Sequence, residues 1–544
     1  MAYLTIKDKK LALKVPPVQR YTALSILGRK FDRSTKMWLY PFEKYDEIVE
    51  RFSELEIDIC VADAIRENQD KLNFLFNLKQ NLIEGKTKWT DKYPQALAVK
   101  ELLDHQKFSI GFFSQIPDGL CSDFSETGTG KTLVQIMLIK SRTLFQGVQN
   151  ILIFCPKSII HTVWKKELKK WYPDINVVTI DDTNIPTNDL IPPTVWVVNY
   201  EKSWRMETFL TSLNAEMIIL DESTRIKNPI AKRTKAIHRI PKSSKFRSIM
   251  TGVPTPNSLL DIYSQLKFLT PDIFGTFTQF KYEHFNYIPH TFSWVPKKGT
   301  AAKIKKLMDL HGVSHLKKDC LDLPKLTVQD MYCELDKETR KVYNDLVKEM
   351  IAYFENTTYL AQIAITKILR LSQITSGFIQ NTGEVGLTEF KSQPKFVLLC
   401  ELIKDIPKDH KIVIWAVFRH DIQMLETTFT NSAVSIHGGI NAKDREIAVD
   451  RFQNDDSIRY FIGHPASAGH GITLTAANYA IYYSLNYSYE NYQQSMDRIN
   501  RISQIKPMTV YRLLARHTVD LVICNALEKK QNLNDFLKNL KESF

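Results

Sequence analysis

The segment Ser125 to Thr132 reads Ser-Glu-Thr-Gly-Thr-Gly-Lys-Thr and runs directly into the apolar stretch Leu133 to Lys140. Cradling a phosphate needs backbone N–H groups that can approach it closely, a cation, and a hydroxyl for a bound metal. Gly128, Thr129 and Gly130 supply the close backbone, Lys131 reaches for the β and γ phosphates, and Thr132 sits where Mg²⁺ is held at a helix N-terminus. The strict form of this pattern has glycine where Ser125 stands.

Hydrolysis of a nucleoside triphosphate also needs a metal anchor and a group that orients or deprotonates water. Asp221 and Glu222 directly follow the apolar run Met217 to Leu220 and suit those two roles. A third group lies far along the chain. In Tyr489 to Ile502, Gln494, Arg498 and Arg501 are spaced by four and three residues, which on a continuous helix puts all three on one face. Arginines presented this way can stabilise charge developing on a γ-phosphate.

Positioning these groups requires strands that end where the chemistry happens. Short β-rich apolar runs recur at Ile151 to Cys155, Val195 to Val198 and Met217 to Leu220, and again at Lys411 to Phe418, Arg459 to Ile462, Ala480 to Tyr483 and Thr509 to Leu513. With helical stretches between them they predict two α/β lobes built on parallel sheets. The intervening stretch differs in texture: a lysine-rich part is followed by apolar residues at helical spacing in Thr339 to Phe354 and Ala361 to Ile374. At the start, Leu4 to Val15 is β-like, Asp32 to Lys36 reads as a hairpin turn and Lys44 to Phe52 as a short amphipathic helix. The expected organisation is a small α+β module over 1–60, a helical linker over 61–100, an ATP-binding lobe over 101–270, a helical insertion and linker over 271–393, and a second lobe over 394–544.

Composition sets the partners. With 73 basic and 60 acidic residues the chain carries a formal charge of +13, which favours a polyanion. The cations cluster: Ser223 to Arg247 holds nine Lys or Arg and no acid, and Lys297 to Lys325 holds eight Lys against three Asp. Seven scattered cysteines with no CxxC pair indicate neither a disulfide framework nor a zinc site. No apolar run approaches the roughly 18 residues of a membrane span, and no signal peptide is read. The expectation is a reducing compartment, cytoplasmic or with the nucleoid or nucleus, and no membrane partner.

From about Leu102 to His517 the chain resembles the Swi/Snf-type branch of superfamily 2 helicase-like motors. Nine segments in order carry the likeness: Leu102 to Phe113, Ser125 to Thr132, Phe154 to Trp171 with Pro156 and Trp164, Asp221 to Asn228, Thr251 to Leu269, His315 to Leu326, Ile436 to Phe452, Ser467 to Ser484 and Gln493 to Ile502. The resemblance implies two RecA-like lobes, ATP and Mg²⁺ as cofactors, and DNA as the partner. It further implies that Gln106 contacts adenine, that Gln494 belongs to the nucleotide site, and that Lys131, Asp221, Glu222, Arg498 and Arg501 carry hydrolysis. Thr251 and Gly252 would couple ATP state to lobe movement, and Gly471 with Thr473 would join nucleotide and DNA contacts. Ser125 and Thr127 replace the commoner acidic and Met residues, and the acidic box reads Asp-Glu-Ser-Thr rather than Asp-Glu-Ala-His.

Phosphate contacts that hold register without reading sequence are expected from Lys157, Arg225, Lys227, Lys297, Lys298, Lys303, Lys305 and Lys306. The N-terminal segment is similar to the HARP module of fork-remodelling annealing helicases through Phe31, Asp32, Lys36, Trp38, Pro41 and Tyr45. Together these features imply an ATP hydrolase that translocates on duplex, forked or branched DNA, annealing strands or migrating branches in replication, recombination or repair. A strand-separating DNA or RNA helicase and a motor that displaces proteins from DNA are the alternatives.

Overall fold

The computed structural model describes all residues except 27, 92–101, 181–191, 242–243, 272, 290–292, 357–360, 381–385, 469–470 and 530–544. The chain forms two compact units, Met1–Glu126 with Gly130–Leu316, and the remainder from Lys317 with Thr127–Thr129. The expected helical linker over 61–100 and second lobe over 394–544 each end within residues that are not described.

The first unit begins with β1 (Ala2–Lys7), β2 (Lys10–Lys14), β3 (Lys30–Asp32), β4 (Met37–Tyr40) and β5 (Leu55–Ile57), ordered β3-β4-β2-β1-β5 in one sheet. Its own core includes Leu4, Leu11, Leu13, Tyr40, Ile48 and Phe52. The turn between β3 and β4 closes on Asp32, which accepts from Ser34 N at 3.0 Å and Thr35 Oγ1 at 2.6 Å and pairs with Lys7. Across the hairpin Phe31 stands opposite Trp38 with ring centroids 4.6 Å apart. The helix Ile59–Ile83 follows, capped by the Asp58 carboxylate, and its Leu75 and Leu78 enter the core of the next layer.

That layer is a seven-stranded sheet built from β6 (Leu120–Asp123), β7 (Asn150–Cys155), β8 (Asn176–Ile180), β9 (Thr194–Asn199), β10 (Met217–Asp221), β11 (Phe246–Met250) and, after the hairpin β12 (Phe285–Ile288) and β13 (Ser293–Pro296), β14 (Gly312–Val313). The order is β14-β6-β11-β10-β7-β9-β8, with every pairing parallel. Alternation of side chains across a strand explains the uninterrupted apolar runs. Ile151 and Ile153 enter the core on one face while Leu152 and Phe154 enter the core on the other, and Met217 and Ile219 alternate with Ile218 and Leu220 in the same way. β6 escapes a hydrophobic reading because Ser122 and Asp123 occupy two of its four positions, both buried.

The second unit repeats the plan. β15 (Leu326–Cys333), the small hairpin β16 (Phe378–Gln380) and β17 (Leu387–Glu389), β18 (Lys411–Trp415), β19 (Ala433–Ile436), β20 (Tyr460–Gly463), β21 (Ala477–Tyr482) and β22 (Met508–Ala515) complete the strands among the described residues. The main sheet runs β15-β22-β21-β18-β20-β19, again all parallel. Val413 and Trp415 serve one core and Ile412 and Ile414 the other. Both units are thus RecA-like α/β layers, as the sequence pattern implies.

The stretch expected to be helical does contain the helices Lys337–Asn356 and Ala361–Thr375. It also contributes strands, β14 to the first sheet and β15 to the second. β15 pairs along one edge only and half its residues are exposed, and Thr327, Gln329 and Asp330 interrupt it, which hides the strand from an apolar-run reading. Among the described residues no helix is long and apolar enough to cross a membrane.

Candidate functional site

In a parallel sheet the carboxyl ends of neighbouring strands share one edge, and ligands bind in the crevice beside it. In the first unit that edge carries the loop after β6, Thr251 after β11, and Asp221 at the end of β10 with Glu222 next to it, in that spatial order. The sequence-predicted phosphate, metal and water groups of this unit therefore come from three adjacent strands.

The loop after β6 is shaped by its own hydrogen bonds. Ser125 N donates to Asp123 Oδ1 at 3.0 Å, and the Ser125 hydroxyl accepts from His315 N at 3.2 Å. The serine standing where the strict pattern has glycine is accordingly a tie to the distant segment at His315. Lys131 Nζ donates to the carbonyls of Ser125 at 2.7 Å and Glu126 at 3.1 Å, which holds the ammonium within the loop. Gly130 has φ +87° and caps the helix Lys131–Gln146, whose second residue is Thr132. A Cβ at Gly130 would lie 2.1 Å from Gln106 Nε2, so glycine is required there both by conformation and by the packed amide. Gln106 is buried, and its Oε1 accepts from Leu103 N at 3.0 Å. Gly128 also takes a left-handed conformation, at φ +90°, and Thr129 is buried.

Asp221 is buried, and its Oδ2 accepts from the indole N–H of Trp164 at 2.8 Å while its backbone carbonyl accepts from Tyr200 at 2.8 Å. Burial, reinforced by the adjacent Glu222 charge, pushes the Asp221 carboxyl up to about 7, and the Trp164 hydrogen bond opposes that rise. Glu222 adopts φ +56°, an uncommon conformation for a residue with a Cβ. Thr251 then donates to Glu222 Oε2 at 3.3 Å, accepts from Val253 N at 3.3 Å, and its own N–H donates to Asp123 O at 3.0 Å. Gly252 follows it in a half-buried bend.

In the second unit the predicted helical face is replaced by a tighter arrangement. The helix Tyr489–Met496 ends before either arginine, so Gln494, Arg498 and Arg501 do not share one helical face. Instead the chain turns, and Arg498 and Arg501 both donate through an η nitrogen to the carbonyl of Ile472, at 3.4 and 3.2 Å. Arg501 also donates to Thr473 Oγ1 at 2.6 Å, and Arg498 Nε to Gln494 O at 3.0 Å. Gly471, at φ +75°, precedes that acceptor. Of the residues assigned to coupling, Thr473 is therefore bonded directly to Arg501, and Gly471 adjoins the carbonyl that both arginines share. Arg498 and Gln494 are buried.

Two structural partners lack a sequence signature of their own. Gln265, fully buried in the helix Tyr263–Leu269, accepts from Ser223 Oγ at 2.7 Å and donates to Pro254 O at 2.7 Å, linking the segment after Glu222 to the loop after Thr251. A lone glutamine among Tyr263, Leu266, Phe268 and Leu269 is a weak signal of such a role. Lys317 is 6% exposed, pairs with the Asp497 carboxylate and donates to Asn500 O at 3.0 Å, so it fixes the residues that flank both arginines.

The proposed phosphate-contact cations differ in freedom. Lys157, Lys298, Lys303, Lys305 and Lys306 are exposed, whereas Arg225 and Lys227 are half-buried. Lys297 is also half-buried, and its ammonium donates to Tyr282 O at 2.6 Å, holding a helix end.

Comparison with known proteins adds the family. Residues 68–380 match the model of the SNF2-related domain, more than half of the chain. The chain belongs to the SNF2-related family. Residues 394–503 match the helicase conserved C-terminal domain, and the two domains together make a SWI/SNF-type ATPase core. Similar curated proteins include the mouse DNA excision repair protein ERCC-6, 26% identical over 81% of this chain and 33% of that protein. An uncharacterized ATP-dependent helicase of Mycoplasma genitalium is 24% identical over 80% of this chain and 42% of its own length. The mouse SWI/SNF-related matrix-associated actin-dependent regulator of chromatin subfamily A member 1 is 24% identical over 79% and 42%. This SNF2-family chain spans between a third and under a half of the length of these relatives.

Proposed function

We propose that this chain is a DNA-dependent ATPase that translocates on double-stranded or branched DNA and remodels forks or junctions, by annealing strands or migrating branches, in replication, recombination or repair. The observation that carries it is the row of adjacent strand ends in the first unit, where the Lys131 loop, Thr251 and the Asp221–Glu222 pair lie side by side. ATP binds with its phosphates in the Lys131 loop and its base toward Gln106. Thr132 and Asp221 would hold Mg²⁺, which would neutralise charge on the phosphates, and Glu222 would orient the attacking water. Arg498 and Arg501 supply positive charge to the γ-phosphate when the lobes close, and reopening after hydrolysis advances the protein along the duplex.

DNA as the partner is supported by the net charge, by the exposed lysines of the helix Thr300–Leu310, and by a relative named for DNA excision repair. Fork or junction preference is assigned to the HARP-like N-terminal module, whose core is distinct from those of the lobes and is closed on one side by Val61 of the following helix. The test is binding and ATPase on forked and linear duplex with the full chain and with a truncation that begins at Asp58. That cut keeps the helix that enters the first lobe's core. Duplex-stimulated turnover is expected to persist while fork preference falls; equal fork preference in both proteins contradicts the assignment.

A further inference from the structure

The hairpin of β12 and β13 carries an aromatic surface that the ATPase chemistry does not use. Tyr287 and Trp294 are directly opposite in the antiparallel register, with ring centroids 5.1 Å apart, and Tyr282 meets the Trp294 ring edge-on at 5.2 Å. Tyr282 is 60% exposed and Tyr287 44%, although both rings are large enough to be buried at little cost. Trp294 packs partly against the apolar core beneath, which fixes the cluster's base. Lys281 Nζ lies 4.8 Å from the centre of the Trp294 ring.

The surroundings are basic. From Phe277 to Lys306 there are six lysines and a single acidic residue, Glu283. Glu283 is itself neutralised by Lys44 of the N-terminal module at 2.6 Å. Lys298, Lys303, Lys305 and Lys306 are all exposed on the following turn and helix. Exposed aromatic rings set among cations match the needs of an unpaired strand, whose phosphates seek the lysines and whose base faces are open to stacking. In an intact duplex those faces are covered by neighbouring bases, so such a surface discriminates unpaired from paired DNA.

We propose that Tyr282, Tyr287 and Trp294 form a stacking site for unpaired nucleobases of a DNA strand, with the adjacent lysines holding its backbone. The site rests on the reading of the chain as a DNA motor and gives that motor a second way to recognise a fork, separate from the N-terminal module. The two exposed tyrosines are outside the ATPase machinery, so Y282A/Y287A leaves duplex-stimulated ATPase unchanged. Binding of a fluorescent oligo-dT by the full-length double variant is expected to weaken at least fivefold, and Y282F/Y287F restores it because the stacking faces remain. Affinity for blunt duplex of matched length stays within twofold.

Unchanged oligo-dT affinity in Y282A/Y287A overturns the proposal. So does equal weakening on blunt duplex, which would make the patch a general DNA contact. A patch needed instead for capture of a protein, with DNA affinity intact, overturns it as well. Failure of the parent protein to respond to any DNA would remove the motor reading itself, a result distinct from a defect confined to the tyrosine variant.

Discussion

The indole N–H of Trp164 donates a 2.8 Å hydrogen bond to Asp221 Oδ2 inside the core of the first lobe, joining the segment after β7 to the end of β10. A buried carboxylate loses much when a donor is removed, because water cannot replace it. Trp164→Phe keeps the aromatic body and deletes the N–H. The Mg²⁺ concentration that half-saturates ATPase is expected to rise several-fold, with turnover largely recovered at high Mg²⁺. An unchanged Mg²⁺ titration would separate Asp221 from metal binding.

Hydrolysis should divide cleanly between the two lobes. Lys131→Ala is expected to abolish turnover, and Glu222→Gln to retain ATP while blocking cleavage. Arg498 is buried and bonded at Nε to the Gln494 carbonyl, so its alanine variant carries a folding penalty as well. Arg501 is half-buried and gives the cleaner test. Arg501→Ala should lower turnover by roughly 10²-fold or more, as expected for loss of a γ-phosphate cation, with nucleotide affinity close to that of the parent. Near-normal turnover in that variant would exclude the arginine from the reaction.

Thr251 touches the Glu222 carboxylate and the backbone at Asp123 and Val253, three pieces of the nucleotide edge. Thr251→Val preserves its buried volume and removes the hydroxyl. Basal ATPase is expected to change little while the ratio of DNA-stimulated to basal turnover collapses. Equal losses in both rates would reduce Thr251 to a support for Glu222.

Much of the candidate site's placement is legible in the sequence because parallel strands announce themselves as short apolar runs and the groups proposed to act on phosphate follow directly at their ends. Met217 to Leu220 with Asp221 and Glu222 is the clearest instance. What is not legible depends on tertiary structure. Nothing in Ser125 reveals that its hydroxyl meets His315, and nothing in Lys317 reveals Asp497, 180 residues away. Spacing alone places the arginine pair on a continuous helix, because it carries no sign of a helix stop at Met496. β6 and β15 are hidden by the polar residues that interrupt them, Ser122 and Asp123 in the one and Thr327, Gln329 and Asp330 in the other.

His238 supplies a stability test in the first lobe. Burial, aided by the Lys267 and Arg247 charges, pulls its imidazole down to about 4 from an ordinary 6.5. Between those values the unfolded chain binds a proton that the folded chain excludes, so stability falls as pH drops through this window, by up to about 1.4 kcal/mol per unit. Above it His238 contributes no pH dependence. Urea unfolding of His238→Phe between pH 7 and 4.5 should show a shallower decline than the parent. Parallel declines would assign the acid sensitivity to other groups.

Neutralising Lys298, Lys303, Lys305 and Lys306 together should weaken duplex binding and flatten its salt dependence. Every phosphate that goes unneutralised is expected to lower the log–log slope by about 0.9. Lys297 is left in place because its ammonium holds the Tyr282 carbonyl. An unchanged slope would make this helix a solvated face.

If ATP turnover here is driven by DNA, with duplex or branched DNA as the preferred track, the choice of nucleic acid sets the rate. The most direct measurement is steady-state ATPase of the full-length chain, at one fixed salt concentration, with linear duplex, forked duplex, four-way junction, single-stranded DNA and RNA in turn. Strong stimulation is expected from duplex, forked and four-way DNA, weaker stimulation from single strands, and little from RNA. Stimulation by RNA equal to that by duplex DNA, or turnover indifferent to every nucleic acid, would contradict it.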